Sequence, residues 1–167
     1  MTRVQILLMT PEDLDEVHAV EGRVYTQPWS VNLFRGELMM PDKRVYLVAR
    51  VQEELAGYAG LMIVDGEAHV TTLAVDKPWQ RQGVGSLLAL RLIELAMLKR
   101  VHWLTLEVRE SNVAARGLYE RFGFNKIGLR PKYYSDGEDA VIMWTNDIQS
   151  PEYKGMLAEK KAELEKC

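Results

Sequence analysis

Apolar and polar positions alternate along this chain in two periods, and the period changes mark its elements. Val4–Met9 is a short apolar run that reads as a first strand. Thr10-Pro11-Glu12-Asp13 then opens a helix: Thr10 can cap it, Pro11 suits its first position, and the acids face the positive end of the dipole. Leu14, Val17 and Val20 follow at helical spacing. Ser30 caps a second short helix carrying Leu33, Phe34 and Leu38, and Pro41-Asp42 ends it. Val45–Val51 and Leu55–Val64 read as a hairpin around Gln52-Glu53-Glu54, and Asp65-Gly66 turns the chain into a strand from His69 to Val75.

The second half alternates helix and strand. A long helix runs from about Gly83 to Lys99 with Val84, Leu87, Leu88, Leu92 and Leu95 available to a core. Trp103–Val108 is a strand, Asn112–Phe122 a helix stopped by Gly123, and Phe124–Leu129 and Ala140–Trp144 two strands around the turn Ser135-Asp136-Gly137. This order predicts an α/β domain around one mixed sheet. Residues 1–148 form that domain. Residues 149–167 form a charged tail, helical or partly ordered, whose Glu, Lys, Leu and Ala favour i,i+4 charge pairs.

A chain of 167 residues with 47% hydrophobic residues suits one compact core. The net charge of −3 argues against a protein that tracks nucleic-acid phosphates and is compatible with a basic partner. Cys167 is the only cysteine, so no intrachain disulfide forms and no Cys-x-x-Cys metal site exists. A thiol at a charged terminus is a poor nucleophile, so acyl chemistry here would not pass through an enzyme thioester. No apolar run approaches the roughly 20 residues of a membrane span, and Val4–Met9 is too short for a signal peptide. A soluble, cytoplasmic protein is expected.

Two segments carry candidate chemistry. Val75-Asp76-Lys77-Pro78-Trp79-Gln80-Arg81-Gln82-Gly83-Val84-Gly85-Ser86 takes a strand end into a helix start through glycines. Free backbone N–H groups and the helix dipole there can hold a diphosphate, with Arg81 as countercharge. The plainer alternative is a tight turn and no more. The segment is not a Walker loop, because no Lys-Ser or Lys-Thr follows the glycines, and it lacks the third glycine of a dinucleotide fingerprint.

In the second segment, Leu104, Leu106 and Val108 share one strand face, and Trp103, Thr105, Glu107 and Arg109 share the other. A carboxylate on a central strand is unusual, and Glu107 is a candidate general base; on an edge strand it would only pair with Arg109 or a lysine. Asn112 suits a helix cap or a ligand-binding amide. Tyr119 suits the core or, through its phenol, the protonation of a leaving thiolate. His69 could assist the base or make a structural hydrogen bond.

The order strand, Gln80-x-x-Gly83-x-Gly85, helix, strand with Glu107, Asn112, then Tyr119 resembles the GNAT superfamily of N-acetyltransferases, and within it the RimI-type ribosomal-protein-alanine N-acetyltransferases. Gln27-Pro28-Trp29-Ser30, Glu67-Ala68-His69, Leu106 to Asn112, Leu118 to Phe124 and Tyr133-Tyr134 before Glu138-Asp139-Ala140 extend the resemblance over most of Met1 to about Asp147. It implies a single domain with a mixed, mostly antiparallel central sheet flanked by helices. It implies acetyl-CoA as co-substrate, with Leu73, Ala74 and Val75 along the pantetheine, a Val75 amide near the thioester oxygen, Arg81, Gln82, Gly83, Val84, Gly85 and Ser86 on the pyrophosphate, and Asn112 on the cofactor arm. Glu107 would accept the proton and Tyr119 donate one, with no metal. Trp29, Ser30, Tyr133 and Tyr134 would border the peptide.

The expected activity is acetyl transfer to a protein N-terminal amine, the alanine of a basic small-subunit ribosomal protein, with no direct nucleic-acid or membrane partner. Acetylation of lysines, polyamines or another small amine is the alternative within the fold. A non-catalytic acyl-CoA sensor or partner subunit is the alternative of another class, but it has no need of Glu107 and Tyr119. Phosphoryl transfer lacks its Walker lysine.

Overall fold

The computed structural model describes residues 3–166. Cys167 and the first two residues of the expected domain lie outside them. Seven strands form one sheet in the order β1-β2-β3-β4-β5-β7-β6: β1 Val4–Leu8, β2 Arg44–Val51, β3 Glu54–Val64, β4 Glu67–Val75, β5 Trp103–Arg109, β6 Phe124–Arg130 and β7 Ala140–Thr145. Among the described residues five α-helices accompany them: α1 Leu14–Val24, α2 Val31–Leu38, α3 Val84–Leu98, α4 Val113–Arg121 and α5 Pro151–Glu165. The sheet is mixed and mostly antiparallel, as expected; the recorded β4–β5 pairing is parallel. No helix among the described residues is long and apolar enough to cross a membrane.

The chain divides into two compact units. The first runs to Met62 and resumes at Thr71–Leu95. Its β1, β2 and β3 are antiparallel neighbours, with Leu8 opposite Leu47 and Val48 opposite Tyr58. Gln52 and Glu53 alone make the β2–β3 turn, both at positive φ (50° and 71°), so Glu54, expected in the turn, joins the strand. Phe34 of α2 is fully buried between Tyr46 and Tyr58, at 6.4 and 5.8 Å between ring centres and near-perpendicular angles of 86° and 87°. Edge-to-face aromatics of this kind add about 0.5–1.5 kcal/mol beyond their burial. The helix expected to open at Thr10 begins as a 3-10 turn over Pro11–Asp13, where Thr10 and Asp13 cap each other's backbone, and α1 follows at Leu14.

The second unit comprises Ile63–Val70 and the chain from Ala96 onward. Here β5, β7 and β6 are antiparallel, with Glu107 opposite Ile142 and Val141 opposite Leu129. The start of β4 pairs with the start of β5 in parallel, so His69 lies beside Thr105. The tail forms helix α5, capped by the Ser150 hydroxyl. Its Tyr153 is buried and donates its hydroxyl hydrogen to the Phe122 carbonyl at 2.6 Å. Gly123, at φ +85°, lies under that tyrosine: a Cβ there would sit 2.9 Å from its ring.

Candidate active site

The glycine segment lies in the first unit and is built as the sequence predicts up to the helix start. After Val75 comes a 3-10 turn at Lys77–Trp79, opened by the Asp76 side chain, which accepts from the Lys77 amide at 3.0 Å. Arg23 grips Asp76 at 3.2 Å through Nε and 2.8 Å through its terminal nitrogen. That pairing holds the Asp76 carboxyl below the usual carboxylate range. The loop is fixed further by Gln80, which donates to the Val75 carbonyl at 3.0 Å, and by Gln82, which donates to Pro78 at 2.9 Å.

The backbone turns left-handed at Arg81 (φ 60°) and Gly83 (φ 83°), and α3 starts at Val84. Leu87 is the residue whose N–H reaches back to the Gly83 carbonyl, at 3.0 Å. The amides of Val84, Gly85 and Ser86 precede this first closed turn, where an α-helix has no intrahelical acceptor to offer its N–H groups. A side chain at Gly83 would meet nothing within 4 Å, so an incoming group has open room above that turn. Arg81 is exposed. These features fit a diphosphate. Upstream in β4, Ala74 is buried and the Leu73 carbonyl accepts from the Tyr25 hydroxyl at 3.2 Å. Gly57 of β3 permits close approach there: a Cβ would stand 2.5 Å from the Ala74 oxygen.

The second unit carries the candidate acid–base groups. Along β5, Leu104, Leu106 and Val108 are buried, while Thr105, Glu107 and Arg109 are half-buried and Trp103 is exposed. The parallel register sets His69 on the Glu107 face. Its Nε2 lies 2.9 Å from Glu107 Oε2, and its Nδ1 lies 2.9 Å from Thr105 Oγ1. Arg130 Nε stands 3.4 Å from the other Glu107 oxygen. Glu107 therefore pairs with His69 and Arg130. Arg109, the partner that sequence offers first, is engaged elsewhere.

Arg109 reaches the loop between β6 and β7. One terminal nitrogen bonds Asp136 at 2.8 Å and Glu138 at 2.9 Å, and the guanidinium carbon lies 4.1 Å from the centre of the Tyr134 ring. Glu138 also accepts the Ser111 amide at 2.8 Å. Ser111 and Arg109 together hold its carboxyl well down, to about 2. Partial burial pushes the Tyr134 phenol up to about 12. The exposed Tyr133 ring stands edge-on to Tyr134 at 5.1 Å and 89°.

The other anticipated residues are held as follows. Tyr119 is buried in α4, its ring 5.4 Å from that of Phe124. Asn112 caps α4 through its side-chain oxygen, which accepts the Ala115 amide at 3.1 Å; its NH2 group takes no part in that bond. In the first unit, Ser30 caps α2 by accepting the Leu33 amide at 3.1 Å, and the Trp29 ring packs on Phe34 at 5.2 Å, tilted by 52°. The Trp29 amide donates to Glu21 at 2.8 Å. Glu21 is buried and also accepts from the Tyr58 hydroxyl, so one carboxylate fixes where Trp29 enters its loop.

Sequence reasoning did not single out Arg130, Thr105 or Glu21 as partners. The alternation in β5 did put Thr105 beside Glu107, but pairing across strands and from α1 to β3 has no local signal. Among the described residues, no group of three or more His, Cys, Asp or Glu is placed to hold a metal ion.

The sequence profile of the Acetyltransferase (GNAT) family matches residues 12–124. A Bacillus subtilis protein provisionally named ribosomal protein bS18-alanine N-acetyltransferase is 40% identical over 144 residues, covering 86% of this chain and 95% of its own. The ribosomal protein bS18-alanine N-acetyltransferase of Salmonella typhimurium is 36% identical over 141 residues, covering 83% and 94%. Among solved structures, the ribosomal-protein-S18-alanine N-acetyltransferase of Escherichia coli superposes with a TM-score of 0.80 at 34% identity, covering 90% of this chain and 97% of that one.

Proposed function

This chain belongs to the GNAT family of acetyltransferases and is an acetyl-CoA-dependent enzyme, and we propose that its acceptor is the α-amine of a protein N-terminus, the alanine that begins a small-subunit ribosomal protein. The names carried by its relatives support the acceptor. The observation that carries the chemistry is the His69–Glu107 pair at 2.9 Å on a half-buried strand face.

An α-amine has a reference pKa of about 7.7–8.0, so much of it is protonated at neutral pH and must lose a proton before attack. Glu107 accepts that proton, directly or through one water, and His69 orients the carboxylate and can pass the proton outward. Acetyl-CoA supplies an acetyl group activated as a thioester. Arg81, Gln82, Gly83, Val84, Gly85 and Ser86 hold the diphosphate through the helix-start amides and the Arg81 charge. Leu73, Ala74 and Val75 line the pantetheine, the Val75 amide stabilises the oxyanion, and Asn112 contacts the arm through its NH2 group. Tyr119 donates a proton to the departing thiolate. Trp29, Ser30, Tyr133 and Tyr134 border the acceptor peptide.

On this reading the catalytic domain is residues 1–148 and residues 149–167 are a tail, whose helix Pro151–Glu165 serves for packing, supported by buried Tyr153 and Leu157. A net charge of −3 accords with a basic target protein and with no direct nucleic-acid partner, and a ribosomal target accords with a cytoplasmic enzyme.

The test is mass spectrometry of peptides incubated with acetyl-CoA. Basic peptides beginning with Ala, Ser, Met or Gly are compared with one whose N-terminus is blocked and which holds an internal lysine. An acetyl group on the free Ala peptide and none on the blocked one is the expected result. Modification of the blocked peptide alone would overturn the proposal in favour of lysine.

A further inference from the structure

We infer that Arg109 is a positioning residue for the acceptor peptide, setting the Tyr133–Tyr134 wall in place by stacking on Tyr134 while tying the loop's two carboxylates to the strand that carries Glu107. The inference rests on the proposed N-terminal acceptor and names how the same site grips it.

The loop between β6 and β7 is held to its surroundings mainly at its base. Pro131, Lys132, Tyr133, Ser135, Asp136 and Gly137 are exposed. Its internal bonds are Tyr134 N–H to the Glu138 carbonyl at 3.1 Å, Gly137 N–H to the Tyr134 carbonyl at 2.9 Å, Lys132 N–H to the Asp139 carboxylate at 2.8 Å and Glu138 N–H to the Asp136 carboxylate at 3.0 Å. These fold the loop on itself. Two bonds tie its base to the turn after β5, Glu110 N–H to the Asp139 carbonyl at 3.2 Å and Ser111 N–H to the Glu138 carboxylate at 2.8 Å; its tyrosine end is reached through Arg109, which leaves β5 two residues after Glu107 and on the same face.

Each part of the guanidinium has a task. Its edge takes Asp136 and Glu138, and its flat face lies 4.1 Å from the Tyr134 ring centre. Tyr134 in turn meets the Tyr133 ring edge-on. Glu138 is fixed from a second side by the Ser111 amide, the residue before Asn112. One chain of contacts therefore runs from the β5–α4 turn through Glu138 and Arg109 to both tyrosines. Both carboxylates are bonded by the same terminal nitrogen, so a lysine at this position could keep the ion pairs but not the planar face over the Tyr134 ring.

The ion pairs are half-exposed, with Arg109 at 31% and Asp136 at 57% side-chain exposure. Pairs of this kind contribute little to global stability and are screened by salt. Loss of Arg109 is therefore expected to act on peptide affinity more than on folding.

The test compares wild type, Arg109→Ala and Arg109→Lys with a basic Ala-first peptide, measuring KM for peptide and for acetyl-CoA, kcat and thermal melting. For Arg109→Ala the expected result is a peptide KM raised about tenfold, with kcat and acetyl-CoA KM within about twofold. Arg109→Lys should recover only part of the loss. Raising ionic strength should weaken peptide affinity in the wild type and much less in Arg109→Ala. An unchanged peptide KM in Arg109→Ala would overturn the inference. So would peptide and acetyl-CoA KM rising together with a lowered melting temperature, the mark of general loosening. If the wild type acetylates no N-terminal peptide at all, the acceptor proposal fails first, and that outcome is distinct from both.

Discussion

His69 Nε2 and Glu107 Oε2 meet at 2.9 Å across neighbouring parallel strands, with the second imidazole nitrogen on Thr105. The contact gives the carboxylate a fixed orientation and a path for a proton away from it. Glu107→Gln should lower kcat by about 10²–10⁴-fold, the span usual for a lost general base, while acetyl-CoA affinity measured by calorimetry stays put. His69→Ala should cost less, about tenfold, because a water can replace the imidazole. Full turnover in Glu107→Gln would remove that residue from the mechanism.

Tyr119 is buried against Phe124, so its ring packs and its hydroxyl is the only atom that can carry chemistry. Tyr119→Phe keeps the ring and deletes the acid. Stability should change by about 1 kcal/mol, while kcat falls by tenfold or more at constant acetyl-CoA KM. Melting and steady-state kinetics on one preparation separate the two effects.

Two glycines should fail in different ways. Gly83 sits at φ +83° with open space where a Cβ would go, so Gly83→Ala meets backbone strain of about 1–2 kcal/mol and no clash. Its functional mark should be a raised acetyl-CoA KM. Gly57→Ala would place a Cβ 2.5 Å from the Ala74 oxygen, which forces β3 and β4 apart at a cost on the order of 3 kcal/mol. Denaturant unfolding should therefore rank Gly57→Ala as the more destabilised.

The Glu138 carboxyl titrates near 2 because Ser111 and Arg109 hold its charged form. In the unfolded chain a glutamate titrates near 4.3. A depressed folded value means that the stabilisation is complete above the unfolded value and is lost as pH falls from about 4 toward about 2. Arg109→Ala and wild type should thus differ in acid unfolding by an amount that is constant near neutrality and shrinks across that window. Side-chain NMR of Glu138 gives the titration directly; a midpoint near 4 would contradict the contact.

The sequence by itself determined most of the elements, because their signals are local. Alternation in Trp103–Arg109 put Glu107 on the half-open face, Ser30 and Ser150 capped their helices, and the glycines at 83 and 123 marked a helix start and a helix stop. The glycine turn after β4 was legible for the same reason: strand end, positive-φ glycine and helix start are consecutive in the chain. Boundaries moved where a side-chain exchange replaced a helical turn, as at Thr10 and Asp13, or where Gln52 and Glu53 took up positive φ without being glycine.

Only the tertiary structure decided the partners. Sequence left Glu107 free to pair with Arg109, yet the parallel register of β4 on β5 brought His69 to it and sent Arg109 to the Tyr134 loop. Glu21 lies within a helix as one acid among several, and only packing of α1 on β3 buries it against Tyr58 and makes it the holder of Trp29. The charged tail read as helical or partly ordered because Glu and Lys dominate its second half, while its buried residues, Tyr153 and Leu157, acquire meaning only once the Phe122 carbonyl and Gly123 lie beneath the tyrosine. The physical reason is the same each time. Periodicity and capping depend on residues a few positions apart, whereas a buried charge or a shared hydrogen bond depends on strand register and helix packing that no local pattern encodes.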